Sequence, residues 1–345
     1  MNLMGTVAAV LFITIILNYV LKKLNFLVDQ TNISTHKKFV NGQKITPLSG
    51  GLVFFLTLAI FIPETNKLFV ILIFFIFLTG LLSDLNILHS PFFRIIFQTI
   101  VIGAYLLIFD SFVSSIRVDF LDNLLNIFII KLIFTLFCTL VLINGTNFID
   151  GVNTLVTGYF LLIFSNILYL AQVKGLNLDL SIVTICLICL SILYIFNLFG
   201  KIFLGDGGSY LVSFVTSIIL IKFSNDNYIV SPYYVAALLW YPAYENLFSI
   251  IRKKIYKKSP SIPDNEHLHQ LIFLFLNRSL NFSKKISNPL SGMFICFYNL
   301  IYFFIIFEKF NHTETLVYSM FLNVLVYNLL YLFLKKKLMK NKSNG

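Results

Sequence analysis

The sequence predicts an all-α, polytopic integral membrane protein, with the N-terminus outside and the C-terminus in the cytoplasm. Its 345 residues are 58% hydrophobic and only 12% charged, whereas soluble domains are roughly 45–50% apolar and about 25% charged. A single soluble core of this size cannot bury so much apolar surface. The apolar residues also fall into separate runs, each followed by polar residues. We therefore treat residues 1–345 as a single membrane domain.

The predicted spans are apolar runs that could cross about 30 Å of hydrocarbon, which takes roughly 17–25 helical residues. Two of the runs, 48–62 and 209–221, are short for this purpose. Together the runs predict about eleven transmembrane helices. They occupy residues 3–21, 48–62, 68–82, 92–109, 127–143, 154–173, 180–199, 209–221, 229–250, 289–307 and 315–334.

The positions of Lys and Arg predict the orientation. Cytoplasmic loops of membrane proteins carry an excess of these residues. If the N-terminus lies outside, most of the 26 Lys and Arg residues fall on the cytoplasmic side, including Lys22, Lys23, Arg94 and the segment 252–258. Since the bases are scattered over loop ends, the net charge of +11 favours a topology signal, and contact with lipid head groups or phosphates, over binding to nucleic acid.

Polar clusters converge on the predicted cytoplasmic face. The predicted outer loops hold no comparable grouping of glycine with carboxylate. This convergence on one face predicts a functional site there. The clusters are "THKKFVNGQKITPLSGG" (35–51), "LLSDLNILHSPFFR" (81–94), "NGTNFIDGVN" (144–153), "FGKIFLGDGGSY" (199–210) and "IPDNEHLHQL" (262–271).

A simpler interpretation exists for each cluster alone. Asp84, Asp150 and Asp206 could be charges that mark helix ends, and His267 and His269 could be solvated loop residues. Carboxylates at a membrane interface are ordinary, so one aspartate decides nothing. Three aspartates that each lie within a few residues of an apolar run favour a site.

The residue types in these clusters suit magnesium and phosphate. Mg²⁺ prefers hard oxygen ligands and usually completes its shell with substrate phosphates, and Asn147, Asp150 and Asp206 supply such oxygens. Gly207 lies just before a helix that we predict to begin near Ser209, and a helix N-terminus favours anions. The predicted ligand is a pyrophosphate with Mg²⁺, with Mn²⁺ as the alternative cofactor.

The motifs resemble those of the polyprenyl-phosphate N-acetylhexosamine-1-phosphate transferases, glycosyltransferase family 4. "NGTNFIDGVNTL" resembles the family's Asn-x-x-Asn-x-x-Asp-Gly-x-Asp/Asn-Gly-Leu element, and "FLGDGGSYLVSF" resembles its Phe-x-Gly-Asp-x-Gly-Ser segment. "ITPLSGGLVF" is similar to the Pro-x-x-Gly-Gly element, and "PDNEHLHQL" is similar to the His-x-His-His loop. The resemblance covers residues 35–275, with the order and spacing of the motifs intact.

The resemblance implies a function. It implies transfer of a sugar-1-phosphate, most simply N-acetylhexosamine-1-phosphate, from a UDP-sugar to undecaprenyl or another polyprenyl phosphate, with release of UMP. The reaction would take place on the cytoplasmic face of the inner (plasma) membrane, as the first membrane step in the synthesis of a cell-surface polysaccharide or glycan. A homodimer is among the states that the resemblance implies.

The resemblance also implies roles for individual residues. Asp84, Asp150 and Asp206 would be catalytic, and Asp206 with Asn147 would hold the metal. The residues implied to bind substrate and phosphate are Lys44, Asn144, Asn147, Asn153, Gly207, Ser209, His267 and His269.

Three positions depart from the family pattern. Ser83 replaces the first of two adjacent aspartates, Gln270 replaces a histidine, and Thr154 replaces a glycine. A phosphate monoester has a second pKa near about 6, so it is mostly a dianion at pH 7 and gains little from a base. We therefore expect catalysis to survive with Ser83, and Asp84 to help organise the site.

Two other functions remain open at this stage. A transporter or flippase for phosphorylated or lipid-linked substrates would place its polar residues near the bilayer midplane, yet the apolar runs carry almost no charge beyond Glu245. A catalytically inactive homologue is the other alternative.

Overall fold

The computed structural model describes residues 3–28, 46–62, 67–257 and 265–343. These residues are mostly helical, and an isolated β-bridge joins Val28 and Pro47. In chain order the helices are α1 (Leu3–Leu24), α2 (Gly50–Phe61), α3 (Lys67–Asp84), α4 (Pro91–Phe109), α5 (Asp119–Leu125), α6 (Phe128–Ile149), α7 (Leu155–Lys174), α8 (Leu180–Leu198), α9 (Gly205–Asp226), α10 (Pro232–Leu238), α11 (Trp240–Ile255), α12 (Leu268–Arg278), α13 (Lys284–Phe307) and α14 (Thr313–Ser343).

Many of these helices are membrane spans by length and composition. Within the described residues, nine helices are long and apolar enough to cross a bilayer, namely α1, α3, α4, α6, α7, α8, α9, α13 and α14. The twelve-residue helix α2 is apolar but shorter. The prediction of a polytopic, all-α membrane protein is thus confirmed. The count of eleven and the orientation of the termini stay predictions.

Helix α9 lies at the centre of the bundle. In an apolar 18-residue stretch of this helix, 83% is buried, whereas the corresponding stretches of the other candidate spans are at most 56% buried. It packs against α2, α3 and α6. Its small residues explain the position, because a Cβ on Gly80 of α3 would lie 2.4 Å from the Cα of Gly207, and a Cβ on Gly51 of α2 would lie 2.4 Å from the nitrogen of Gly208. Glycine alone allows backbones to approach this closely.

The start of α9 differs from the sequence prediction. We predicted a short span from 209, with Gly207 in the preceding loop, but the helix begins at Gly205 and includes the whole "GDGG" stretch. Glycine is about 1 kcal/mol less favourable than alanine in a helix, so the local sequence of this stretch favours a loop. Tertiary packing against α2 and α3 overrides that local preference.

The predicted span 229–250 is also divided, since α10 ends at Leu238 and α11 begins at Trp240. Pro242 is the cause: it has no N–H to donate to the carbonyl of Leu238, four residues earlier. The hydroxyl of Tyr159 donates to that carbonyl instead, at 2.8 Å. A buried backbone group in a membrane protein requires such a replacement partner.

The close contact between α3 and α9 generates a prediction. Gly80→Ala should force the backbones of α3 and α9 apart, because the added methyl meets backbone atoms that cannot rotate away. Overpacking of this kind costs about 1–3 kcal/mol, so the thermal midpoint of the detergent-solubilised protein should fall by several degrees. Gly103→Ala is the matched control on α4, where a Cβ meets nothing within 4 Å. Equal midpoints for the two variants would contradict the close approach.

Candidate active site

The carboxylate of Asp206, in the first turn of α9, is the meeting point of four helices. Its Oδ2 accepts hydrogen bonds from the Ser83 hydroxyl at 2.7 Å and from Nη1 of Arg94 at 3.1 Å. Its Oδ1 accepts from the Asn147 amide at 2.9 Å. Residues from α3, α4, α6 and α9 therefore converge on one carboxylate, which is the convergence that the sequence motifs predicted.

Asp84 has a different position from the one expected of a catalytic residue. Its Oδ1 accepts from the backbone N–H of Asp206, and its Oδ2 accepts from that of Gly207, both at 3.0 Å. The N-terminus of α9 thus already holds an anion, the Asp84 carboxylate, which satisfies two of the unpaired N–H groups that every helix start carries. We expected the N–H groups at this helix start, including that of Gly207, to hold a pyrophosphate. This expectation is wrong for the N–H groups of Asp206 and Gly207, because Asp84 accepts from both.

Arg94 is a site residue that the sequence analysis missed. It ends the polar cluster 81–94 but carries no role of its own in the sequence-based prediction. Its Nη1 donates to Ser83 at 2.7 Å and to the Tyr210 hydroxyl at 3.2 Å, in addition to Asp206. The hydroxyl of Ser83 accepts a hydrogen bond from Arg94 and donates one to Asp206, so it links a cation to an anion. A base eleven residues after Ser83, at the start of an apolar run, carried no signal of this role.

The segment 144–150 continues the helix that precedes it. We predicted the span to end at 143, whereas α6 runs to Ile149 and Asp150 follows as its C-terminal cap. Helical spacing places Asn144 and Asn147 on one face. The amide of Asn144 donates to the carbonyl of its own helix at Leu140, while that of Asn147 also reaches the Ser209 hydroxyl at 3.4 Å. Asn147 and Ser209 therefore belong with Asp206.

Asn153 belongs to a separate set of contacts. Its amide donates to the Asn197 carbonyl at 2.8 Å, and its backbone N–H donates to the Asn288 side chain at 2.7 Å. None of the hydrogen bonds of the described residues joins it to Asp206. Thr154, where the resemblance expects glycine, has a φ of +69°, in the left-handed region that favours glycine. These contacts shape the turn between α6 and α7, so the predicted substrate role of Asn153 gains no support from them.

The two histidines lie beside the end of α6. His267 Nδ1 lies 2.9 Å from the buried carboxylate of Glu245, whose other oxygen accepts from the Tyr327 hydroxyl at 2.8 Å. The ring of His269 stacks on that of His267, with 5.6 Å between centroids. A Cβ on Gly151 would lie 2.3 Å from Nε2 of His269, so the histidine loop packs directly against the turn after Asp150. Glu245 stands out in the sequence as a charge within an apolar run, but its partner His267 lies 22 residues further along the chain.

His269 cannot supply positive charge to a phosphate. It is fully buried, and neither ring nitrogen has a hydrogen-bond partner among the described residues. Burial, followed by the proximity of His267, lowers its pKa from 6.5 to about 3. The ring is therefore neutral near pH 7, and the expectation of a cationic phosphate ligand at this position is wrong.

The "TPLSGG" element binds the segment that leads into α9. The N–H groups of Gly50 and Gly51 donate to the carbonyls of Phe203 and Leu204, each at 3.0 Å, and the N–H of Phe203 donates to the carbonyl of Pro47 at 3.0 Å. These bonds fix where α9 begins. Lys44, the predicted phosphate ligand, lies outside the described residues.

The donor set suits magnesium better than a metal that needs a closed protein cage. In the described ranges no group of three or more His, Cys, Asp or Glu is placed to hold a metal ion. Mg²⁺ needs less, since one or two carboxylates normally suffice and water and substrate phosphates complete the shell. The Asp206 carboxylate supplies such an oxygen, and the Asn147 amide lies beside it, with its NH₂ group donating to Asp206 Oδ1.

The neutral His269 generates a prediction about pH. The unfolded chain takes up a proton near pH 6.5, whereas the folded chain does so only near pH 3. The resulting stability is complete above about pH 6.5 and is lost as the pH falls towards about 3. His269→Leu should therefore reduce the fall in thermal midpoint between about pH 7 and about pH 5.

The matched control is His89→Leu, which removes an exposed histidine from the loop between α3 and α4. This variant should keep the wild-type dependence of the thermal midpoint on pH. The same dependence in His269→Leu would show that this ring does not titrate on unfolding.

Curated proteins share sequence with this chain. It is 28% identical over 262 residues to the undecaprenyl-phosphate alpha-N-acetylglucosaminyl 1-phosphate transferase of Thermotoga maritima, a match that covers 75% of this chain and 77% of that protein. The probable undecaprenyl-phosphate N-acetylglucosaminyl 1-phosphate transferase of Bacillus subtilis is 32% identical over 38% of this chain and 37% of its own length. A Yersinia pestis protein with the same name as that of Thermotoga maritima is 30% identical over 40% of each chain.

A family model matches the central part of the chain. Residues 67–224 match the model described as Glycosyl transferase family 4. The matched range runs from the start of α3 almost to the end of α9, and it contains Ser83, Asp84, Arg94, Asn147 and Asp206. The contacts that join these side chains thus lie within the matched range. The family model and the named relatives agree with the motif resemblance, and over residues 67–224 the chain is similar to glycosyl transferase family 4.

Proposed function

We propose that the protein transfers N-acetylhexosamine-1-phosphate from a UDP-sugar to undecaprenyl phosphate and releases UMP. The single observation that carries the proposal is the convergence of α3, α4, α6 and α9 on the Asp206 carboxylate. The relatives named above are transferases of this kind. The site combines one carboxylate, an amide and a guanidinium, which suits a substrate pair rich in phosphate.

The chemistry requires one new P–O bond and the loss of another. An oxygen of the lipid phosphate attacks the β-phosphorus of the UDP-sugar, and the bond from that phosphorus to the bridging oxygen breaks, so that UMP leaves with the electron pair. Because the attacking phosphate is mostly a dianion at pH 7, no side chain has to remove a proton from it. The reaction therefore needs no base at position 83, and the hydroxyl of Ser83 is compatible with catalysis.

The side chains then act by positioning and by charge. Asp206 with Asn147 would hold Mg²⁺, which supplies charge stabilisation to the phosphates during transfer when it is bound. Arg94 keeps the Asp206 carboxylate in place, and Asp84 fixes the first turn of α9 that carries it. Such positioned charges account for most of phosphoryl-transfer catalysis.

The membrane placement belongs to the proposal. The helix α2 and the pair α10–α11, added to the nine long spans, support the predicted total of eleven passages. The excess of Lys and Arg in the predicted cytoplasmic loops supports a cytoplasmic site in the inner membrane. A homodimer stays a prediction.

The transporter alternative is not favoured. Glu245, one of the few charges within the apolar runs, is paired with His267 and Tyr327 beside the predicted site. A carboxylate fixed by two partners holds a loop in position, and the arrangement does not require an open pathway. An inactive homologue is distinguished from an active enzyme by the assay that follows.

Turnover should depend on Asp206. Purified protein with undecaprenyl phosphate, Mg²⁺ and a panel of UDP-sugars should release UMP with at least one sugar. Asp206→Asn should reduce the rate on the order of 100-fold or more, because a positioned charge is lost, while the thermal midpoint stays close to that of the wild type.

The control is Asp226→Asn, an exposed carboxylate at the other end of α9. It should keep the wild-type rate. Near-normal, Mg²⁺-dependent release of UMP by Asp206→Asn would remove this residue from the mechanism. Release of UMP with none of the sugars by the wild type would remove the proposed function.

The proposed orientation makes a prediction about labelling. In a background without native cysteines, Asn265→Cys should react with a membrane-impermeant thiol reagent only in inverted vesicles. Asn311→Cys, in the turn between α13 and α14, should react only in intact cells, because the two positions flank the bilayer on opposite sides. The reverse pattern would place the site outside the cytoplasm.

A further inference from the structure

The guanidinium of Arg94 uses only one of its three nitrogens. All of its hydrogen bonds leave from Nη1, which donates to Ser83, Asp206 and Tyr210. Nε is buried and has no hydrogen-bond partner among the described residues. Nη2 likewise makes no hydrogen bond within the part of the chain that the structure describes. The edge formed by Nε and Nη2 therefore carries donors that have no hydrogen-bond partner among the described residues.

A guanidinium edge with two unpaired N–H donors is suited to bind an anion with two oxygens. A buried N–H without a partner costs free energy, so an arginine held in this way is paired when its ligand is present. The Nε and Nη2 donors point in parallel and match two oxygens of a carboxylate or a phosphate. Because Nη1 is held by two hydroxyls and a carboxylate, the edge formed by Nε and Nη2 has a fixed direction before any ligand binds.

The position of Arg94 indicates which phosphate arrives there. It lies in the first turn of α4, between residues that face outwards: Phe92, Phe93 and Phe97 are 68%, 55% and 52% exposed. Arg94 itself turns inwards to Asp206. In a membrane, the exposed phenylalanines face hydrocarbon. The guanidinium thus lies where an amphiphile could place its chain against α4 and its head group beside Asp206.

We propose that the Nε–Nη2 edge of Arg94 binds the phosphate of the lipid acceptor, while Nη1 holds Asp206. This inference rests on the proposed function and adds to it the residue that receives the acceptor. It also gives Ser83 a role: its hydroxyl is a neutral acceptor for Nη1. Asp206 is then the one carboxylate that pairs with Arg94 among the described residues, so the guanidinium keeps charge for the incoming dianion.

Kinetics with Arg94→Lys separate the two phosphate-bearing substrates. Lysine keeps the positive charge beside Asp206 but lacks the planar edge. The KM for undecaprenyl phosphate should rise about tenfold or more, as expected for the loss of a bidentate charged contact. The KM for the UDP-sugar should change by less than about twofold. Lys336→Gln removes an exposed cation from α14 and should change neither value.

A direct binding measurement keeps the inference testable if the wild type turns over none of the sugars offered. Binding of farnesyl phosphate, with uncharged farnesol as the reference, is measured for wild type and Arg94→Lys in detergent. Wild type should prefer the phosphate, and Arg94→Lys should lose most of that preference at an unchanged thermal midpoint. An equal preference in both proteins, or a rise in the KM for the UDP-sugar alone, would overturn the assignment to the acceptor.

Discussion

The structure depends on how the N-terminus of α9 is held inside the bundle. Four backbone N–H groups at a helix start lack partners within the helix, and those of Asp206 and Gly207 are satisfied by the two oxygens of Asp84. The glycines of α2 and α3 let the backbone of α9 come close enough for this pairing. The position of the Asp206 carboxylate, and with it the positions of Arg94 and Asn147, follows from this one contact.

The sequence predicted those parts of the fold that depend on local composition. Apolar runs located most of the spans, and the motifs correctly grouped Asn147, Ser209 and Asp206. The start of α9 was missed because its glycines favour a loop locally and its partner, Asp84, lies 122 residues away in the chain. Arg94 and Glu245 were misjudged for the same reason: their roles depend on which carboxylate or histidine lies opposite, and spacing along the chain does not contain that information.

The departures from the family pattern are compensated by the surrounding contacts. Ser83 stands where the family pattern has an acid, and its hydroxyl donates to Asp206 and accepts from Arg94. Thr154 adopts a left-handed conformation that disfavours a β-branched residue, and its hydroxyl donates to the carbonyl of Pro289 at 2.9 Å.

The pairing of Glu245 with Tyr327 connects the catalytic region to the end of the chain. Tyr327 lies in α14, which is outside the range that matches the family model, yet its hydroxyl is one of the partners of a fully buried carboxylate. A truncated form that lacked α14 would leave that carboxylate underpaired and loosen the histidine loop that it holds. The minimal catalytic unit is thus longer than the range that matches the family model, and fusions or deletions near the C-terminus should begin beyond Tyr327.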